Sequence, residues 1–119
     1  MLRGIRGATT VTSNSRTEIL DCVSELLHAI KEANSFQTED VGAIIFSSTP
    51  DLDAAFPAAA ARSMGWTDIP LFGTQEIDNQ DGLPRCIRVL ILWNTDLSQN
   101  NIRHVYLGDA VVLRQDIAK

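Results

Sequence analysis

Arg85-Cys86-Ile87-Arg88-Val89-Leu90-Ile91-Leu92-Trp93 decides the fold class. The run has strand length, β-branched and apolar side chains throughout, and no glycine or proline. Its continuous apolarity predicts a central strand buried on both faces. Arg88 interrupts it. A bare charge buried mid-strand costs several kcal/mol or more, so this arginine must either pair with an internal acid such as Glu76 or Asp78, or face an anion-binding cavity.

Outward from this strand the chain alternates strands with two helical segments. Residues 1–12 read as a strand running into a loop. Ser15-Arg16-Thr17-Glu18 is a capping box, and Ile19, Val23, Leu26, Leu27 and Ile30 follow at helical spacing, predicting a helix that ends near Asn34. Val41–Ser47 is an apolar run of strand length, and Thr49-Pro50-Asp51-Leu52 is a turn. Pro57 opens a short helix over Ala58–Met64, with Gly65 as its stop. Ile69–Thr74 reads as a strand, Asp78–Gly82 as a turn, Arg103–Leu107 as a strand, and Ala110–Leu113 as a short apolar segment. The pattern predicts an α/β domain of the α+β, mixed-sheet kind.

At 119 residues the chain has the size of a single domain over 1–119, with room for a core but little for a deep private pocket beside it. A site shared between subunits follows as an expectation. Ten basic against fifteen acidic residues give a net charge of −5, which argues against nucleic acid or an anionic membrane as partner. No stretch has the length of a membrane span, and Met1–Gly7 has no apolar signal core. Cys22 and Cys86 stand apart without metal spacing, which suits a reducing cytoplasm. All the basic residues but Lys31 and Lys119 are arginines. Arginine grips carboxylates and phosphates bidentately. A compositional bias accounts for the same count equally well.

Few groups stand in site positions. Arg6 lies between glycines at the end of the first strand, where it can reach into a mouth, and Arg3 points to the opposite face. Glu76 follows a strand and is read as the partner of Arg88. His104 and Tyr106 share one face of the last strand, a placement that more often serves structure than catalysis. Gly4-Ile5-Arg6-Gly7 lacks the helices of a nucleic-acid clamp. Asp78–Gly82 lacks two ligands of a calcium loop. There is no nucleophile–base pair, metal cluster or cofactor fingerprint. An enzyme built from these parts works by positioning and electrostatics.

Blocks spread in order along nearly the whole chain carry a resemblance. They are 3–11 (RGIRGATTV), 48–52 (STPDL) with Phe56-Pro57-Ala58, Gln75-Glu76, Cys86-Ile87-Arg88-Val89, and 102–107 (IRHVYL) with 110–114 (AVVLR). In these the sequence resembles the monofunctional chorismate mutases of the small trimeric, pseudo-α/β-barrel type. The resemblance implies isomerisation of chorismate to prephenate, an intramolecular Claisen rearrangement in aromatic amino-acid synthesis that needs no cofactor. It implies a cytoplasmic homotrimer with sites at subunit interfaces. It implies that Arg6 grips a substrate carboxylate with help from Tyr106. Arg88 donates to the ether oxygen, Glu76 accepts from the ring hydroxyl, and the backbone at Gly73 and Thr74 lines the pocket. Phe56 and Arg62 come from the neighbouring subunit, and Leu113 and Arg114 lie on a mobile tail that closes the site. Ala59 replaces a lysine of familiar members, Gly73 replaces a pocket cysteine, and one residue is missing between Arg62 and Trp66. A small trimeric imine or enamine hydrolase, or a silent carboxylate sensor, would use an interfacial arginine in the same way.

Overall fold

The computed structural model describes residues 1–114. Its strands are β1 (Leu2–Thr10), β2 (Val41–Ser48), β3 (Leu71–Gln75), β4 (Cys86–Asn94) and β5 (Val105–Tyr106); its α-helices are α1 (Arg16–Asn34) and α2 (Ala58–Ser63). The strands form one sheet in the order β3-β2-β4-β1-β5. β4 sits at the centre, antiparallel to β1 and β2, while β3 and β5 add parallel edges. The α/β class with a mixed sheet is therefore as expected.

Capping chemistry sets the helix boundaries. Ser15 Oγ accepts the Glu18 amide at 3.1 Å, as a capping box requires. The Glu18 carboxylate does not return to Ser15; it accepts the Thr12 and Ser13 hydroxyls at 2.6 and 2.7 Å. Ser35, with φ +54°, ends the helix in the left-handed conformation that typically stops helices. The face predicted from spacing is the buried one: Ile19, Val23, Leu26, Leu27 and Ile30 are all fully buried. They pack with Ile5, Ile87, Val89 and Ile91 in one core.

Three boundaries move for physical reasons. β4 begins at Cys86 because Arg85 has φ +47°, outside any strand conformation. The last strand shrinks from Arg103–Leu107 to two residues because the Asn34 side chain takes both backbone groups of Arg103, each at 2.9 Å. β3 starts at Leu71, just past Pro70, whose ring leaves no N–H to give a ladder.

One prediction fails outright. β4 is not buried on both faces of this chain. Ile87, Val89, Ile91 and Trp93 are buried under α1 and the loops, but Leu90 and Leu92 are only half-buried and Arg88 is exposed. α1 and α2 cover one side of the sheet and leave the other open, except at the end of β1, where Gly108–Arg114 meets Thr10.

Candidate active site

Residues paired across a sheet ladder point to the same face. The register therefore places side chains on the open face without further assumption. Thr74 of β3 pairs with Ser47 of β2, Ser47 with Arg88 of β4, Arg88 with Ala8 of β1, and Ala8 with Tyr106 of β5. These residues form one row across all the strands. The next row runs Phe72, Ile45, Leu90, Arg6. Arg6 is thus a diagonal neighbour of Arg88, about 7–8 Å away between backbones. Residues far apart in sequence, Arg6, Arg88 and Tyr106, meet on one surface because β1 lies between β4 and β5.

Arg6 stands in the middle of β1, not at its end as expected from the flanking glycines. It is half-buried, and its backbone N–H donates to His104 Nδ1 at 2.9 Å. The regular alternation expected of His104 and Tyr106 fails, because β5 starts only at Val105. The histidine ring turns to the β1 backbone, while Tyr106 stays on the open face.

Glu76 lies one residue past β3, anchored by its N–H to Ser48 O at 2.9 Å. Its carboxylate faces Arg88, with Oε2 3.6 Å from Nε. That is charge pairing beyond hydrogen-bond length. The side chains are 53% exposed for Arg88 and 27% for Glu76. Arg88 is therefore paired, as one of the two readings required, but it is not buried in the single chain. An ion pair this wet contributes about 0–1 kcal/mol, so stability alone gives weak reason for an arginine in an apolar strand.

Both residues open onto a pocket of about 570 Å³, lined also by Thr49, Asp51, Cys86 and the 77–84 loop. By sequence Asp51 is a turn residue and Cys86 a strand residue, and neither feature marks a pocket wall. The position of Asp51 just after a strand-ending Thr-Pro was the available sign. Burial pushes the Cys86 thiol up and the Arg88 charge only partly offsets it, which disfavours the thiolate that a nucleophilic cysteine needs. No group of metal-ligating side chains occurs among the described residues.

The other expected residues do not line this pocket. Arg6, Tyr106 and Thr74 share its sheet face but lie outside the lining, and Gly73, in β3, has open space where a Cβ would stand. Phe56 is 80% exposed just before α2, and Arg62 is exposed on α2. Leu113 is half-buried in a 3₁₀ segment, Gly108–Arg114, that starts with Gly108 at φ +57° against Thr10. The closing movement expected of the tail, with the residues after Arg114, lies outside the described residues. Within one chain the site is a charged pocket opening onto a wide half-apolar face.

Known proteins match the chain over nearly its whole length. The family model for chorismate mutase type I covers residues 2–117. A chorismate mutase AroH from Bacillus subtilis is 49% identical over 119 residues, covering 99% of this chain and 94% of that protein. A chorismate mutase AroH from Thermus thermophilus is 49% identical over 118 residues, covering 98% and 97%. The solved structure of a chorismate mutase from Clostridium thermocellum superposes with a TM-score of 0.90 at 49% identity, covering 92% of this chain and 97% of that one. Matches of this length and identity, on a fold that gathers Arg6, Glu76, Arg88 and Tyr106 at one side of its sheet, leave one assignment: the chain belongs to the type I chorismate mutases.

Proposed function

We propose that this protein isomerises chorismate to prephenate within a homotrimer whose sites lie between subunits. The observation that carries the reading is the row across the open sheet face, where Arg88 stands beside Glu76, diagonal to Arg6 and in line with Tyr106.

The reaction breaks one C–O bond and forms one C–C bond inside a single dianionic molecule. No proton leaves and no covalent enzyme intermediate forms. Arg6, helped by the Tyr106 hydroxyl, holds a carboxylate. Glu76 accepts a hydrogen bond from the ring hydroxyl. Together they hold the side arm over the ring, removing the entropy of reaching the reactive chair. Arg88 faces the ether oxygen, which gains negative charge as the C–O bond lengthens. A fixed cation there stabilises the transition state more than the substrate.

The trimer supplies what one chain lacks. Phe72, 64% exposed, with the half-buried Ile45, Leu90 and Leu92, makes an apolar face that a second copy would cover. Covering it would also dry Arg88 and strengthen its field. Phe56 and Arg62 of a neighbour, with Gly73, Thr74, Leu113 and Arg114 of this chain, complete the enclosure in this reading, and 1–119 acts as one domain. The free cysteines Cys22 and Cys86 suit the cytoplasm as its compartment. Loss of chorismate ultraviolet absorbance on adding purified protein tests the activity. Stable absorbance with turnover of an imine would replace this reading by the hydrolase one.

A further inference from the structure

Arg85 holds φ +47°, a conformation that costs any residue with a Cβ and persists only where its surroundings impose it. Three hydrogen bonds do so. Its N–H donates to Asp51 Oδ2 at 2.8 Å, its Nε donates to Val11 O at 2.9 Å, and its carbonyl accepts the Val11 N–H at 2.9 Å. The other Asp51 oxygen accepts the Thr49 hydroxyl. That hydroxyl oxygen in turn accepts the Cys86 N–H at 3.0 Å, and the Thr49 N–H donates to Cys86 O at 3.0 Å. One carboxylate thus ties the chain leaving β2 to the first residues of β4. The tie lies on the wall of the pocket that holds Arg88 and Glu76.

The placement has a consequence for the pair. The 77–84 loop hangs between two fixed points, Glu76 on Ser48 O and Arg85 on Asp51. Arg88 follows Arg85 by three residues, about 10 Å of extended chain held in the β4 ladder. We propose that Asp51 is a positioning residue for the rearrangement: by holding Arg85 in the left-handed conformation it fixes where the 77–84 loop ends and β4 begins, and so sets Arg88 against Glu76. This rests on the chorismate mutase reading. Asp51 touches no reacting atom; it acts through the backbone of Arg85 and Cys86.

The test is a double-mutant cycle with Arg85→Gly, because glycine adopts positive φ without help. In the native background Asp51→Ala lowers kcat at least tenfold. In the Arg85→Gly background the same change costs less than threefold. Calorimetric titration with a bicyclic dicarboxylate mimicking the chair-like transition state separates positioning from loss of folded protein. Positioning raises the Kd at least tenfold at unchanged stoichiometry, whereas a merely structural role lowers the number of sites and leaves the Kd alone. Asp51→Asn, which keeps the volume and one oxygen acceptor, carries the test if the alanine variant does not fold, with a smaller kcat loss that Arg85→Gly again relieves. Equal losses in both backgrounds, or fewer sites of native affinity, overturn the proposal. The Arg85 amide should also exchange its hydrogen at least tenfold faster in Asp51→Ala. An inactive wild-type protein would sink the chorismate reading itself, while an active one with unchanged exchange at Arg85 sinks only the clamp.

Discussion

Arg88 carries the sharpest consequence at the scale of single residues. Its partner in the free chain is Glu76, but a pair with 53% and 27% exposure holds little stability. In the proposed role its value shows in the reaction. Removing one preorganised donor typically costs about 10²–10³-fold, and here a whole charge goes as well. Arg88→Ala should therefore lose at least that in kcat, with a smaller change in KM, in steady-state assays on protein shown to be folded. Citrulline at 88, which keeps the shape and the donors but not the charge, should bind chorismate and turn it over very slowly. Near-normal turnover by that variant would make Arg88 structural. Glu76 gives a complementary expectation. In the proposed role it orients a hydroxyl and moves no proton, so the chemical step should show almost no solvent deuterium effect. A large effect traced to Glu76 would point to acid–base chemistry instead.

Among the elements, α1 packs closely on the sheet at Gly7. A Cβ on Gly7 would stand 2.6 Å from Ile30 Cδ1, 3.1 Å from Val89 Cγ2 and 3.3 Å from the Val105 carbonyl. The Ile30 methyl can yield, but the strand atoms on either side cannot. Gly7→Ala should cost about 1–3 kcal/mol, read as a shift of the urea midpoint. Acid should loosen the end of the layer where β1 runs into α1, because both carboxylates act there: Glu18 on Thr12 and Ser13, Asp51 on Arg85, which pairs with Val11. Hydrogen bonds from Thr12 and then Ser13 hold the Glu18 carboxyl below its usual value. Burial pushes Asp51 up, but the Thr49 hydroxyl and the Arg85 amide outweigh it and hold that carboxyl low. Both groups have lower folded than unfolded pKa values. The stability they add is complete above the ordinary carboxylate range and is lost as pH falls through the lowered folded values. Thermal melts should show a smaller acid-side drop in Glu18→Gln and in Asp51→Asn than in the parent; an equal drop would remove these two groups as its source.

For the whole molecule the open sheet face is the deciding feature. Ile45, Phe72, Leu90 and Leu92 leave an apolar surface beside a charged row, which is poor design for a solitary chain and good design for a shared site. In the trimer reading one subunit gives Arg6 and its neighbour gives Arg62. Mixing inactive Arg6→Ala subunits with weakened Arg62→Ala subunits should restore activity, because some interfaces then hold both native arginines. Light scattering that finds a fully active monomer would exclude the shared site.

Local chemistry was enough for much of this. Ser15, the spacing from Ile19 to Ile30, and the apolar runs around Ile44 and Ile91 each specify their element through contacts within a few residues, so the sequence alone determines the helices, the strands and the mixed α/β class. The ordered blocks from Arg3 to Arg114 likewise determine the family. What they leave open depends on contacts across the chain. Nothing near residue 85 says that its backbone turns left-handed, because the cause is a carboxylate at 51. Nothing near 103 says that the last strand is cut short, because the competitor is the side chain of Asn34. Continuous apolarity in β4 could not say which face α1 would cover, since a strand buried by its own helices and one kept for a partner read alike. Only the sheet order set β1 between β4 and β5, and it is that order, not any spacing along the chain, that puts Arg6, Arg88 and Tyr106 on one surface.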